Sequence, residues 1–181
     1  MAFNVSNFRN EMKFDGARAN LFDVQLNFPA AFGNSRFRRD VAFKCKSAQI
    51  PGSTVNQVVV PYFGREVKFA GNRTFTDWTV TILNDEDFIV RNAFERWMNG
   101  INSHRFNTRS ASAATPTSYG TDAYVKHYGK TGKIIKSYKF VGLFPNDLAP
   151  IDLDWGNNDA IEEYSVTFAY QWWEAAAESV I

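Results

Sequence analysis

The sequence predicts a mainly β fold, with two packed antiparallel sheets forming a β-sandwich or barrel and one flanking α-helix. Three observations predict it. Aromatic residues occupy 16% of the 181 positions, Phe alone contributing 17, and aromatic and β-branched side chains suit a pleated, half-buried surface. Two stretches alternate strictly between apolar and polar residues, "NLFDVQLNFP" (20–29) and "EEYSVTFAYQWWE" (162–174). One long stretch, "NDEDFIVRNAFERWMNGI" (84–101), stands out with a helical period instead. About six or seven strands with one interrupting helix fit a single domain over 1–181, which is long enough to close a core.

In the first strand Phe22, Val24, Leu26 and Phe28 share one face, Asp23, Gln25 and Asn27 share the other, and Pro29 ends the run. "FGNSRFRRD" (32–40) reads as a basic turn, and "VAFKCKSAQIPG" (41–52) as a second strand closed by a Pro-Gly turn. Residues 55–82 then form three strand-like runs broken by Pro61, Gly64 and Gly71. The last is regular: Trp78, Val80 and Ile82 point one way, Thr79 and Thr81 the other, continuing the polar parity of Asp77. The earlier one is not, because Val58, Val59 and Val60 are consecutive, and Tyr62 and Phe63 extend the apolar character past Pro61. Apolar on more than one side, the segment over about 52–71 is expected to be an extended arm covered by something other than its own core.

The helix is expected over about 85–100, with Asn84 or Asp85 as N-cap, acids in the first turn, and Gly100 at its C-terminal end. Val90, Ala93, Phe94, Trp97, Met98 and Ile101 form its apolar stripe. The small, polar stretch over about 105–122 reads as a mobile surface loop. Residues 123–145 read as a hairpin around Gly129–Gly132, and "PIDLDW" (150–155) as a brief strand. In the last strand Tyr164, Val166, Phe168, Tyr170 and Trp172 oppose Glu163, Ser165, Thr167, Ala169 and Gln171, and "AAAESVI" follows as a tail.

Signals for chemistry are weak, and neither enzyme activity, a metal nor a cofactor is expected. Gly129-Lys130-Thr131 resembles the end of a phosphate loop, but that motif needs a glycine at 124, where Tyr124 stands, and a helix rather than the strand-like "IIKSYKF" after it. His104 and His127 have no neighbouring ligand at metal spacing, and Asp152 with Asp154 is more simply a solvated strand face than an acid pair. The single cysteine, Cys45, cannot form an intramolecular disulfide and is expected to be a buried, inert thiol. The N-terminal residues lack the roughly 7–15-residue apolar core of a secretory signal, and no window approaches the roughly 18 apolar residues of a membrane span. A soluble protein without a membrane anchor, made in a cytosol, is expected.

Charge is segregated although the net formal charge is only +1. Lys126, Lys130, Lys133, Lys136 and Lys139 fall in 124–139 without an acid, whereas 140–181 carries Asp147, Asp152, Asp154, Asp159, Glu162, Glu163, Glu174 and Glu178 without Lys or Arg. This fits either ion pairing within one molecule or head-to-tail contacts between copies, for which Lys126, Lys130, Lys133, Asp152, Asp154, Glu162 and Glu163 are the candidates. The aromatic load, in excess of what one thin sandwich hides, favours an interface.

Several stretches, in order and over nearly the whole length, resemble the tail tube proteins of contractile-tailed, T-even-like bacteriophages: "GARANLFDVQLNFP", "FKCKSAQIPGSTV", "VPYFGREVKFAGNRTFTDWTVTILND", "EDFIVRNAFERWMNGIN" and "YKFVGLFPNDLAPIDLDWGNNDAIEEYSVTFAYQWWE". The resemblance implies hexameric rings whose sheets join into an inner β-barrel. These rings stack on a baseplate initiator into a hollow tube inside a contractile sheath. It also implies a tape-measure protein in the lumen during assembly, a tail terminator at the end, and genomic DNA passing without specific binding. The protein is then expected in the virion, assembled in the host bacterial cytoplasm. On this view the arm residues Val58, Val59, Val60, Tyr62, Phe63, Arg65 and Lys68 lie on a neighbouring subunit. The cation-free polar faces Asp23/Gln25/Asn27, Asp77/Thr79/Thr81 and Ser165/Thr167/Gln171 are candidates for the lumen, because cations there would hold phosphates and slow DNA. Ring stacking is expected of the N-terminal segment, residues 55–70, the 107–122 loop and the C-terminal tail. Two alternatives stay open: the tube of a related phage-tail-like contractile particle, and a monomeric carbohydrate-binding sandwich using Trp172 and Trp173 as a sugar platform.

Overall fold

Alternation at a period of two places Val24 and Leu26 on the buried side of strand β1 (Phe22–Leu26), with Asp23 and Gln25 opposite. The computed structural model describes residues 4–33 and 35–176. In it β1 begins a seven-stranded antiparallel sheet. It pairs with β6 (Thr121–Tyr128), followed by β7 (Ile134–Leu148), β8 (Glu163–Ala169), β5 (Trp78–Leu83) and the short β2 (Cys45–Ala48). Strand β9 (Trp172–Ala176) adds to the first part of β7.

The 15-residue β7 belongs to two antiparallel halves. Its residues Ser137–Val141 lie beside β9, and Phe144–Leu148 pair with β8. Between them Gly142 takes φ +66°, a left-handed conformation that glycine adopts without strain. Strands β3 (Ser53–Tyr62) and β4 (Arg65–Phe75) pair with each other as a separate hairpin.

One core serves both halves. Trp78 stacks on Phe140 at 4.4 Å between centroids and lies 5.6 Å from Phe168, joining β5, β7 and β8. The amphipathic helix α3 (Ile89–Ile101) closes it with Val90, Ala93, Phe94 and Trp97. Phe94 meets Phe168 edge-on at 5.8 Å, and Phe28 packs on Phe94 and Trp97 at 5.3 and 5.4 Å. The Trp97 indole N–H donates to the Tyr119 carbonyl at 2.7 Å, satisfying its polar atom inside the core. Gly100 is required where it stands, since a Cβ there would fall 2.2 Å from the Phe32 ring.

Several local expectations give way to longer-range contacts. Residues 35–44 form helix α2 (Ser35–Lys44) rather than a turn, so the second strand starts only at Cys45. Phe37 and Val41, one helical turn apart, are buried, while Arg38 and Arg39 stay in solvent. Helix α3 begins four residues late, capped by Phe88 in a left-handed conformation (φ 52°), while Gly100 stands at its C-terminal end as expected. Asn84 and Asp85 are occupied elsewhere: the Asn84 amide donates to Glu162 Oε2 at 2.9 Å, and Asp85 pairs with Lys44.

The 107–122 stretch lies largely at the surface but is not devoid of structure. A 3-10 turn, Ala111–Ala113, buries Ala113 completely, and a one-turn helix α4 (Pro116–Tyr119) follows. Residues 150–155 have no strand partner and form a loop with Leu153 and Trp155 in solvent. The 162–174 stretch is two strands, because the chain bends at Tyr170–Gln171 and its pairing passes from β5 and β7 on β8 to the other half of the sheet on β9. Helix α1 (Val5–Glu11), unanticipated, leaves Val5, Phe8 and Met12 exposed.

Phe94→Ala is expected to lower the unfolding free energy by about 3–5 kcal/mol, whereas Phe43→Ala, at a site 83% exposed, should change it by less than about 0.5 kcal/mol. Chemical denaturation of both variants checks the contrast.

Candidate functional site: an exposed arm and a polar wall

The β3–β4 hairpin stands outside the core: every residue of β3 is exposed, against alternate burial in β5, and in β4 only Gly71 and Phe75 are half-buried. Its register sorts the arm residues by face. Val58 and Val60 lie opposite Phe69 and Val67, forming with Tyr62 an apolar stripe that ends at Arg65, opposite Tyr62. Val59 lies opposite Lys68, and Pro61 opposite Glu66, on the reverse face. The consecutive valines therefore split between two faces, one of them strongly apolar. Val67 and Phe69 are the residues that sequence reading missed, although "EVKF" alternates as an exposed strand should.

Pro61 does not break the strand. The reversal is made by Phe63 and Gly64, whose φ values of 44° and 83° are the two positive angles that a two-residue type I′ loop requires. Gly64 suits this; Phe63 does not, and a bulky residue held there is strained. Phe63 is 92% exposed and its ring meets Tyr62 at 4.6 Å, so the strain is offset by little burial inside the subunit.

Behind the core, β5 and β8 present a polar wall. Thr79 faces Thr167 with their hydroxyls 3.1 Å apart, and Thr81 faces Ser165 at 3.4 Å. Register extends these rows to Asp147 beyond Thr167 and Ser47 beyond Thr81. Asp77, just before β5, accepts from Asn146 at 3.4 Å. These rows contain no Lys or Arg; Lys46 stands at the end of the wall, paired with Glu163. Gln171 does not join them. It sits at the β8–β9 bend and packs over Gly142.

Asp23, Gln25 and Asn27 lie on the other half of the sheet, and there the cation-free criterion fails. Lys126 stands directly opposite Asp23, and Tyr124, opposite Gln25, is itself opposite Lys139. Lys139 forms a 3.0 Å ion pair with Asp122, whose hydrogen bond raises the ammonium pKa, and Asn27 donates to the Asp122 carbonyl at 3.0 Å.

The charge blocks are partly consumed within the subunit. Glu163 pairs with Lys46, Glu162 accepts from Asn84, and Asp154 Oδ1 accepts from the Gly156 N–H at 2.8 Å. Lys130 and Lys133 lie in the exposed β6–β7 turn, while Asp152 and Asp154 lie in the 149–162 loop. Lys44 holds the Asp85 carboxyl below its usual range through their hydrogen bond. Cys45 is half-buried beside the β1 end of the sheet; burial, reinforced by the Asp23 charge, pushes its thiol up to about 12. Trp172 and Trp173 are adjacent on β9 and so point to opposite sides, which rules out a shared sugar platform.

A model of the phage tail tube protein family matches residues 17–176. The chain belongs to this family. The tail tube protein gp19 of Enterobacteria phage T4 is 32% identical over 161 residues, spanning 88% of this chain and 92% of that protein. The tail tube protein of Serratia phage KSP90 is 26% identical over 168 residues, spanning 92% and 93%. Among solved structures, a chain of the anti-feeding prophage baseplate shares the fold at a TM-score of 0.63 and 13% identity, covering 88% of this chain and 95% of that one. A chain of the sheath–tube complex of an extracellular contractile injection system does so at 0.56 and 14%, covering 98% and 100%. This tail tube protein is accordingly a structural component of the virion and not an enzyme. The T4 and KSP90 relatives are phage proteins, which favours a phage tail over the related particle. Of the segments expected to stack rings, residues 1–3 and 177–181 lie outside the described residues.

Phe63→Asn should leave the isolated subunit as stable as wild type or slightly more so, since Asn tolerates the left-handed turn position, yet weaken self-association. Thermal unfolding alongside sedimentation separates the two effects. At pH 8.5 native Cys45 should react with a thiol reagent at least about a hundredfold more slowly than in urea, where its raised pKa is lost.

Proposed function

We propose that this tail tube protein forms hexameric rings that stack into a hollow tube within a contractile sheath, and that the genome leaves through its lumen. The observation that carries this is the β3–β4 arm. An isolated two-stranded hairpin is at best marginally stable in water, and this one exposes an apolar face with a strained aromatic tip. A neighbouring copy that covers Val58, Val60, Tyr62, Phe63, Val67 and Phe69 supplies the missing burial, with Arg65 and Lys68 fixing register. Helix α1, with Val5, Phe8 and Met12, is a second surface for the same kind of contact. Heterologous contacts of this kind make closed rings in one direction and a filament in the other.

The Thr79/Thr167 and Thr81/Ser165 rows, with Ser47, Asp77 and Asp147, line the lumen, where hydroxyls and carboxylates give phosphates nothing to grip. Asp23, Gln25 and Asn27, lying among lysines, are better placed at contacts between subunits. Lys130 and Lys133 on one copy meet Asp152 and Asp154 on another. The partners are the sheath, a baseplate initiator, the tape-measure protein and a terminator, with assembly in the host bacterial cytoplasm. The similar structures come from a sheath–tube complex and a baseplate, in keeping with this set.

Electron microscopy of concentrated purified protein should show hollow tubes or six-fold rings; a stable monomer at high concentration would refute the reading. Thr79→Lys with Thr81→Lys should preserve tubes but cut infectivity by roughly tenfold or more, because the added cations retain DNA. Full infectivity, with the lysines located in the lumen by cryo-electron microscopy, would remove the rows from the wall.

A further inference from the structure

The arm crosses between hairpin and body at two short stretches, residues 49–52 on entry and 75–77 on exit, and aromatic side chains of the body hold both. On entry, the Trp78 indole N–H donates to the Gln49 carbonyl at 2.9 Å, and the Trp173 indole N–H donates to the Gly52 carbonyl at 3.0 Å. On exit, the Tyr170 hydroxyl donates to the Thr76 carbonyl at 2.8 Å. The Phe75 ring, last residue of β4, sits against both Tyr170 and Trp173, at 6.0 and 6.4 Å. These side chains are in turn fixed to the core: Tyr170 meets Phe140 edge-on at 5.0 Å, and Trp173 meets Tyr138 at 5.6 Å.

We infer that Tyr170 and Trp173 are positioning residues that set the angle at which the arm leaves the body, so that the C-terminal strand β9 governs how the subunit presents itself to its neighbour. The inference rests on the arm docking on a second copy, as proposed above. Leverage makes the root decisive. The ten residues of β3 reach about 30 Å, so a 10° swing at the root moves the tip by about 5 Å, roughly one strand spacing. Backbone pairing does not prevent such a swing, because β3 and β4 ladder only with each other among the described residues. The phenol and the indole grip opposite legs of the arm's root, Thr76 just after β4 and Gly52 just before β3, which resists rotation better than two bonds to one leg would. Trp78 serves the core as well, so the separable pair is Tyr170 and Trp173.

The test replaces Tyr170→Phe and Trp173→Phe, singly and together, which keeps the rings and removes the donors. Spin labels on Glu66→Cys in the arm and Glu95→Cys on α3, in a Cys45→Ser background, report arm orientation in the free subunit. The expected result is a broadened or shifted distance distribution with a melting temperature within a few degrees of the parent. The concentration needed for tube formation should rise about tenfold or tubes should be lost. An unchanged distribution overturns the inference whatever tubes do, and so does a changed distribution with tubes forming as in wild type. If the double variant unfolds, the single variants carry the same comparison. Tyr62→Ala with Phe63→Ala serves as the separate control: normal tubes from it would refute arm docking, while the free-subunit distances would still judge the anchor.

Discussion

Trp78 sits where both halves of the sheet and the root of the arm converge. Its ring stacks on Phe140 of β7 and lies against Phe168 of β8, while its N–H holds the chain at Gln49 just before the arm begins. Burying so large an aromatic surface is among the strongest single contributions a core can receive. It thereby ties together three strands, β5, β7 and β8, that are also laddered to one another through β8. Helix α3 closes the remaining side with Phe94 and Trp97, and the subunit is then complete without any residue of β3.

That completeness gives the arm its meaning. The core is shut, so the apolar stripe of Val58, Val60, Tyr62, Val67 and Phe69 stays exposed in the single subunit, and in the proposed assembly a neighbouring copy buries it. Folding and the proposed assembly thus draw on separate sets of aromatic residues, one central and one peripheral.

How far the sequence revealed this depended on the range of the interactions involved. β1, β5 and β8 were legible because half-buried strands must alternate. The arm was legible as an anomaly, since its valines fit no single face of a core strand. Helix α2 was hidden because its basic residues dominate the composition and, among its described side chains, only Phe37 and Val41 are buried. The start of α3 was misplaced because Asn84 and Asp85, good caps by type, are committed to Glu162 and Lys44 far away in sequence. Unbroken alternation through 162–174 concealed the bend at Tyr170, where only the pairing partner changes. The polar face of β1 looked free of cations because Lys126, which register sets beside Asp23, comes from a strand a hundred residues later. Faces built from one strand could be read; faces built by pairing could not.

Strand β7 has a mechanical consequence. Its fifteen residues give an unbroken backbone contour of about 50 Å, laddered to β6 and β9 along its first part and to β8 along its second. Separating the two halves of the subunit therefore means shearing whole ladders, whose hydrogen bonds bear load together, or stretching a covalent chain. Sliding one packed layer over another would not suffice. A hollow cylinder built from such units would transmit a sudden axial thrust through backbone rather than through side-chain contacts, and its weakest joints would lie between subunits rather than within them.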